Sequence, residues 1–175
     1  LQRHIQNIIK NGSVLSRSMT KLGSNLVKQI SSTGKHKNDN IVVSPYSIAI
    51  ALSMAALACT GEARVELLQN LVKQDDIELL KVEVAALQIL MLERNSTCGK
   101  FRHANGLYFE KAMEYLVNDE YLQTISSHFA NTQIGPIKSA DDINTFIDTQ
   151  TTGMIKDVVT KELVVVKEIL VEVVE

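Results

Sequence analysis

Asn40-Ile41-Val42-Val43-Ser44-Pro45-Tyr46-Ser47-Ile48-Ala49-Ile50-Ala51-Leu52-Ser53-Met54-Ala55-Ala56-Leu57-Ala58 is the stretch on which the fold turns. It holds no charged residue. Ile41-Val42-Val43 is β-branched throughout and predicts a brief buried strand. Ser44 then offers a hydroxyl that can cap a helix. Pro45 suits the first helical position, where its missing N–H would be unpaired anyway. From Tyr46 to Ala58, alanines alternate with Ile, Leu and Met, so the predicted helix is apolar all round. Such a helix is buried on all sides. It is expected to cross the domain centre, with Gly61 ending it.

Outward from this stretch, the pattern predicts more helix than strand. Met19, Leu22, Leu26 and Ile30 share one face of a helix from Ser18 to Ser31. Residues 1–17 read as an extension before it. A short helix is expected from Glu62 to Leu71. Asp75-Asp76 opens another, with Ile77, Leu80, Val84, Leu87 and Met91 as its stripe and its acids on a solvated face. Phe101, His103, Asn105, Leu107 and Phe109 alternate on one face of an extended segment, with Tyr108 on the other. Asn118 caps a helix carrying Leu122, Ile125 and Phe129 inward. Ser139 caps a further one, with Asp142 three residues on, Ile143, Phe146 and Ile147 inward, and Gly153 closing it. The tail, residues 160–175, supports a helix by its charge spacing and a strand by Leu163-Val164-Val165-Val166. The fold class is α+β, helix-rich, with a few short strands and an incomplete sheet.

Composition bounds the function. With 45% hydrophobic and 22% charged residues, a disordered chain is excluded, and 175 residues suit one domain. A net charge of -2 supplies no field to hold a polyanion, so no nucleic-acid partner is expected. No apolar run approaches the roughly 18 residues of a membrane span, and no signal-peptide core appears in this numbering. Two cysteines, Cys59 and Cys98, make no disulfide framework, which leaves one bridge or two thiols open. Cys59, ending the apolar helix, reads as a small buried hydrophobe.

Enzyme signatures are missing. There is no Gly-rich phosphate loop, no G-x-S-x-G and no H-E-x-x-H. His4, His103 and His128 lack a His, Cys or carboxylate three or four residues on, and His36 has Asp39 at that spacing only within a polar loop, so no helical metal pair is expected. His103 on its strand reads as structural. Neither catalysis, metal nor cofactor is expected. Asn11-Gly12-Ser13 and Asn95-Ser96-Thr97 are sequons, which make Asn11 and Asn95 glycosylation candidates in a secreted chain.

The order of these motifs resembles the serpins. Asn40 to Ile48 with Ala51-Leu52-Ser53-Met54 resembles that family's opening strand and buried helix, and Gly61 with Glu66-Leu67 the turn and helix after it. Ala104-Asn105-Gly106-Leu107-Tyr108-Phe109 is similar to its alanine–asparagine strand. Ile143-Asn144-Thr145-Phe146-Ile147 and Thr151-Thr152-Gly153-Met154-Ile155-Lys156-Asp157 resemble the helix across the main sheet and its exit. The likeness covers residues 18–159. Departures include Ala58 and Ala63, Phe146 in place of a tryptophan, and Gly135-Pro136-Ile137 in place of a Val-Asp-Phe strand end.

The resemblance implies a serine-protease-inhibitor fold represented by its N-terminal half, without the reactive-centre loop. It implies no enzymatic activity, and a serine protease as partner only where the other half is supplied. Asn40, Pro45, Gly61, Asn105, Asn144 and Gly153 are the fold-motif positions. Ser44 and Ser47 match the region where the family's sheet opens; the alternative is a plain cap and a buried hydroxyl. An extracellular location is expected, with a cytoplasmic one as the alternative. An unpaired edge on the strand around Asn105 would promote self-association.

Overall fold

The computed structural model describes residues 2–34, 39–94 and 101–160. The chain divides into two compact units, one running to Leu90 and one from Met91 onward.

The first unit is helical. Helix α1 spans Gln2–Asn11, α2 Val14–Ser32, α3 Pro45–Ala58, α4 Gly61–Leu71 and α5 Ile77–Arg94. Helix α1 lies within what the sequence suggested was an extension. Helix α2 begins four residues earlier than expected because Ser13 caps it, its hydroxyl accepting from the Ser16 N–H at 2.9 Å. Its inward ridge is Leu15, Met19 and Gly23, at four-residue steps. Leu22, Leu26 and Ile30, expected to face inward, are half-buried. Gly23 escaped the hydropathy pattern because it contributes space. A Cβ there would come 2.5 Å from Pro45 Cγ, so its absence lets α2 seat against α3.

Helix α3 forms as expected, with Tyr46, Ala49, Ile50, Ser53, Met54 and Ala56 buried. Burial is not complete around its circumference: Ile48, Leu52 and Leu57 are half-buried and Ala58 is exposed. The expected strand over Ile41–Val43 is absent, and Val42 is 91% exposed. A β-branched run needs a neighbouring strand to pair with, and none of the described residues supplies one. Gly61 does not end α3. It opens α4 at φ +62°, with the chain turned through Cys59 and Thr60. Cys59 is half-buried with a free thiol.

Helix α5 starts where Asp76 accepts the Leu79 N–H at 3.0 Å. Leu80, Val84 and Leu87 are buried as the stripe predicts. Its acids are not all solvated: Glu83 is only 2% exposed. The reason is a long-range contact. The carboxylate of Glu83 accepts from the Ser13 hydroxyl at 2.5 Å and from the Leu15 N–H at 3.3 Å, at the positive end of α2.

The second unit is a βαβ crossover followed by a helix. Strand β1 is Asn105–Phe109, a 3-10 segment covers Lys111–Leu116, α6 is Asp119–His128, β2 is Thr132–Pro136 and α7 is Ala140–Gln150. The strands pair in parallel, with Asn105 opposite Thr132 and Phe109 opposite Pro136. Periodicity gave no sign of β2, and only the resemblance placed a strand end at Gly135-Pro136-Ile137. Gly135 and Pro136 argue against a central strand, and the structure reconciles them by using it in a two-stranded pair. Asn118 caps α6 through the Glu120 N–H at 2.7 Å, and Ser139 caps α7 through the Asp142 N–H at 3.1 Å. Ile125 and Phe129 turn inward from α6 and its end. Tyr108, Ala140, Ile143, Ile147 and Val159 form one buried cluster.

Candidate functional site

Two groups of polar side chains stand out, one in each unit. The first is at the start of α3. Ser44 Oγ and Ser47 Oγ lie 2.9 Å apart, and the Ser47 N–H donates to Ser44 Oγ at 3.4 Å. Ser44 is therefore an N-cap, as the cap alternative has it, while Ser47 is half-buried and its hydroxyl meets that of Ser44. Nearby, the buried Ser53 hydroxyl donates to the Ala49 carbonyl at 2.6 Å. Tyr46 is buried, which pushes its phenol up to about 12 and keeps it neutral. Asn40, the first fold-motif residue, is exposed ahead of the cap.

The second group closes the βαβ crossover. After α6 the chain reverses through Asn131 at φ +54°, a left-handed conformation that asparagine tolerates. The preceding Ala130 carbonyl accepts from His103 Nε2, Asn105 Nδ2 and Thr132 Oγ1, each at 3.3 Å. The Asn105 N–H donates to the Asn131 carbonyl at 3.0 Å. Asn105 thus holds the turn from both its backbone and its side chain. His103 lies just before β1 and not on the strand, and its ring bonds backbone, which fits a structural role. A carbonyl only accepts, so Nε2 carries the proton, and burial lowers the imidazole's pKa.

On the opposite face of the sheet, Tyr108 spans the strands. Its hydroxyl donates to Gln133 Oε1 at 2.7 Å, across from Gly106. The ring lies over Gly106 so closely that a Cβ there would be 2.4 Å from Tyr108 Cε2. Burial raises the Tyr108 phenol to about 12.

Beyond α7 the chain is held by Asn144. Its amide donates to the Val159 carbonyl and accepts the Val159 N–H, both at 2.9 Å. One side chain thereby satisfies both backbone groups of a residue fifteen positions away, as a neighbouring strand would. The helix itself ends in a Schellman arrangement: the Gly153 N–H reaches the Asp148 carbonyl at 2.8 Å and the Thr152 N–H the Thr149 carbonyl at 3.2 Å. Gly153 sits at φ +81°, but Thr152 takes the left-handed position before it at φ +53°.

Of the sequence's candidates, Asn105 and Asn144 emerge as clamps, Pro45 and Ser44 as a helix start, and Gly61 and Gly153 as turns. Asn11 is exposed at the end of α1, while Ser13 of its sequon is buried against Glu83. Asn95, Cys98, His36 and the tail from Lys161 lie outside the described residues. Glu83 and Gln133 were missed because their partners are distant; Thr151 was read only as part of the exit motif, and its hydroxyl donates to the Ile147 carbonyl and accepts the Ile155 N–H. No cluster of metal-ligating residues occurs among the described residues, and none of their helices is long and apolar enough to cross a membrane.

Comparison with known proteins fits this architecture. Residues 17–173 match the model of the serpin (serine protease inhibitor) family, and the chain belongs to that family. Mouse neuroserpin is 26% identical over 170 residues, which cover 90% of this chain and 39% of that protein. An alpha-1-antitrypsin-like protein of Tamias sibiricus is 28% identical over 139 residues, covering 71% and 31%. The solved structure of Arabidopsis AtSerpin1 in its native stressed conformation superposes with a TM-score of 0.70 at 21% identity, covering 85% of this chain and 38% of that one. The chain therefore spans about two-fifths of the length of relatives such as neuroserpin and AtSerpin1. The match also takes in residues 160–173, beyond the likeness read from the sequence.

Proposed function

We propose that these 175 residues form the N-terminal part of a serpin-type inhibitor fold and do not trap proteases by themselves. The observation that carries this reading is the sheet. Among the described residues it consists of β1 and β2 alone. Trapping requires a cleaved loop to insert as an added strand into a wide sheet. A serine protease is the partner once the rest of such a fold is supplied. Ser44 and Ser47 then serve where the sheet opens, and the sequons at Asn11 and Asn95 suit an extracellular setting. The test is incubation with trypsin-like, chymotrypsin-like and elastase-like proteases followed by denaturing electrophoresis. No band at the summed mass is expected; one such band overturns the reading.

A second reading, an interaction module, draws on the edge of β1. Asn105 and Phe109 direct their backbone groups to the β2 side, so by alternation Gly106 and Tyr108 direct theirs away. No strand of the described residues pairs with that edge. Concentration-dependent association in sedimentation velocity is expected under this reading. A monomer at every concentration sinks it.

A further inference from the structure

Helices α2, α3 and α4 enclose a groove of about 550 Å³ within the first unit. Small-molecule sites span roughly 300–1,000 Å³. Each helix contributes one stripe. From α2 come Ser18, Lys21, Leu22 and Asn25, at steps of three and four. Ala49 and Leu52 of α3 form the floor with Leu67 and Leu71 of α4. The small side chain of Ala49 leaves the floor deep.

Two observations separate this groove from a packing gap. The first is a hydroxyl. Thr20 and Ser24 return their hydroxyls to the carbonyls four residues earlier, both at 3.0 Å. Ser18, on the same helix, does not. Its Oγ is buried with no hydrogen-bond partner among the described residues. Leaving such a group unmet is costly, which makes it a donor in want of an acceptor. The second is charge. Lys21 and Lys73 line the groove against a single carboxylate, Glu66. Lys73 stands at φ +64°, a conformation that lysine adopts at a cost. Its ammonium touches the Asn70 carbonyl at 2.9 Å and keeps further donors.

We propose that this groove binds a small amphipathic carboxylate. Its apolar body lies on Leu22, Leu52, Leu67 and Leu71, and its carboxylate is met by the ammonium of Lys21 and by the Ser18 hydroxyl, which a change of χ1 rotamer brings from its buried position onto the groove. Ser18 and Lys21 are three residues apart on one face of α2, so a single carboxylate reaches both. Lys73 adds charge from the α4 side. The occupant is a ligand with one negative end, and neither a neutral lipid nor a cation meets both features.

Calorimetric titration of the full chain with dodecanoate tests this, with dodecan-1-ol as the neutral twin. One-to-one binding of dodecanoate is expected, with the alcohol at least tenfold weaker. Ser18→Ala should weaken dodecanoate about tenfold, as loss of a hydrogen bond to a charged group does. Lys21→Glu should weaken it by at least as much. Both Lys21 and Asn25 are exposed, so Lys21→Glu and Asn25→Trp leave the fold intact, which circular dichroism verifies. Asn25→Trp covers the opening and should abolish binding. Equal affinity for the alcohol, indifference to Ser18→Ala and Lys21→Glu, or no binding at all overturns the proposal. So does a dimer in sedimentation velocity that Asn25→Trp dissociates, since a second copy would then be the occupant.

Discussion

In the first unit, helices bury one another's side chains, and the backbone looks after itself through intrahelical bonds. In the second, a two-stranded sheet leaves backbone groups at turns and exits, and single polar side chains take them up. Ile50, Leu15, Leu68 and Leu80 are the packing of the first. Asn105, His103 and Asn144 are the clamps of the second, and Tyr108 joins its strands through the Gln133 side chain. The difference teaches where each unit is vulnerable. Helix packing fails by lost volume or by added volume. A clamped sheet fails by loss of one donor or acceptor.

The largest test of this contrast is Ile50→Ala. Ile50 is fully buried in α3, and removing it should cost about 2–5 kcal/mol in a denaturant melt. Leu52, half-buried on the same helix, should cost clearly less when truncated. Equal losses would show that α3 is enclosed all round after all. The converse probe adds volume. Gly23→Ala puts a Cβ against the Pro45 ring and should cost about 1–3 kcal/mol by overpacking. A neutral outcome would mean that α2 slides freely on α3.

In the second unit, Asn144→Ala removes both bonds to Val159 and should cost about 1–2 kcal/mol. Amide exchange should rise at Val159 while Ile50 keeps its protection. Exchange rising at both residues together would make the two units one cooperative body. Thr152→Gly works in the opposite direction. Glycine relieves the left-handed strain of a β-branched residue and should add about 0.5–1 kcal/mol to thermal stability.

The smallest effect is in pH. His103 has its pKa lowered by burial from the usual 6.5, so the folded form holds it neutral while the unfolded chain takes up a proton. Its contribution is present above pH 6.5 and is lost as pH falls from there through the lowered folded value. His103→Gln should flatten that part of a stability-against-pH curve. An unchanged slope would place the acid sensitivity elsewhere.

Much of the fold was legible because helices advertise themselves through neighbours in sequence. The start of α3, the caps at Asn118 and Ser139, and the stripe on α5 all depend on residues within a turn of one another. The motif around Asn105 was visible too, although its chemistry was not: its partners, Ala130 and Thr132, lie more than twenty residues away. The charge-free run from Asn40 to Ala58, the capping serines and the order of the motifs were fixed by sequence alone, since local sterics and hydrogen bonding decide them. Whether Ile41–Val43 forms a strand, whether Gly135-Pro136 can serve in one, and why Glu83 is buried were settled only in three dimensions. A strand exists only with a partner, and a buried carboxylate only with donors, and both come from distant parts of the chain.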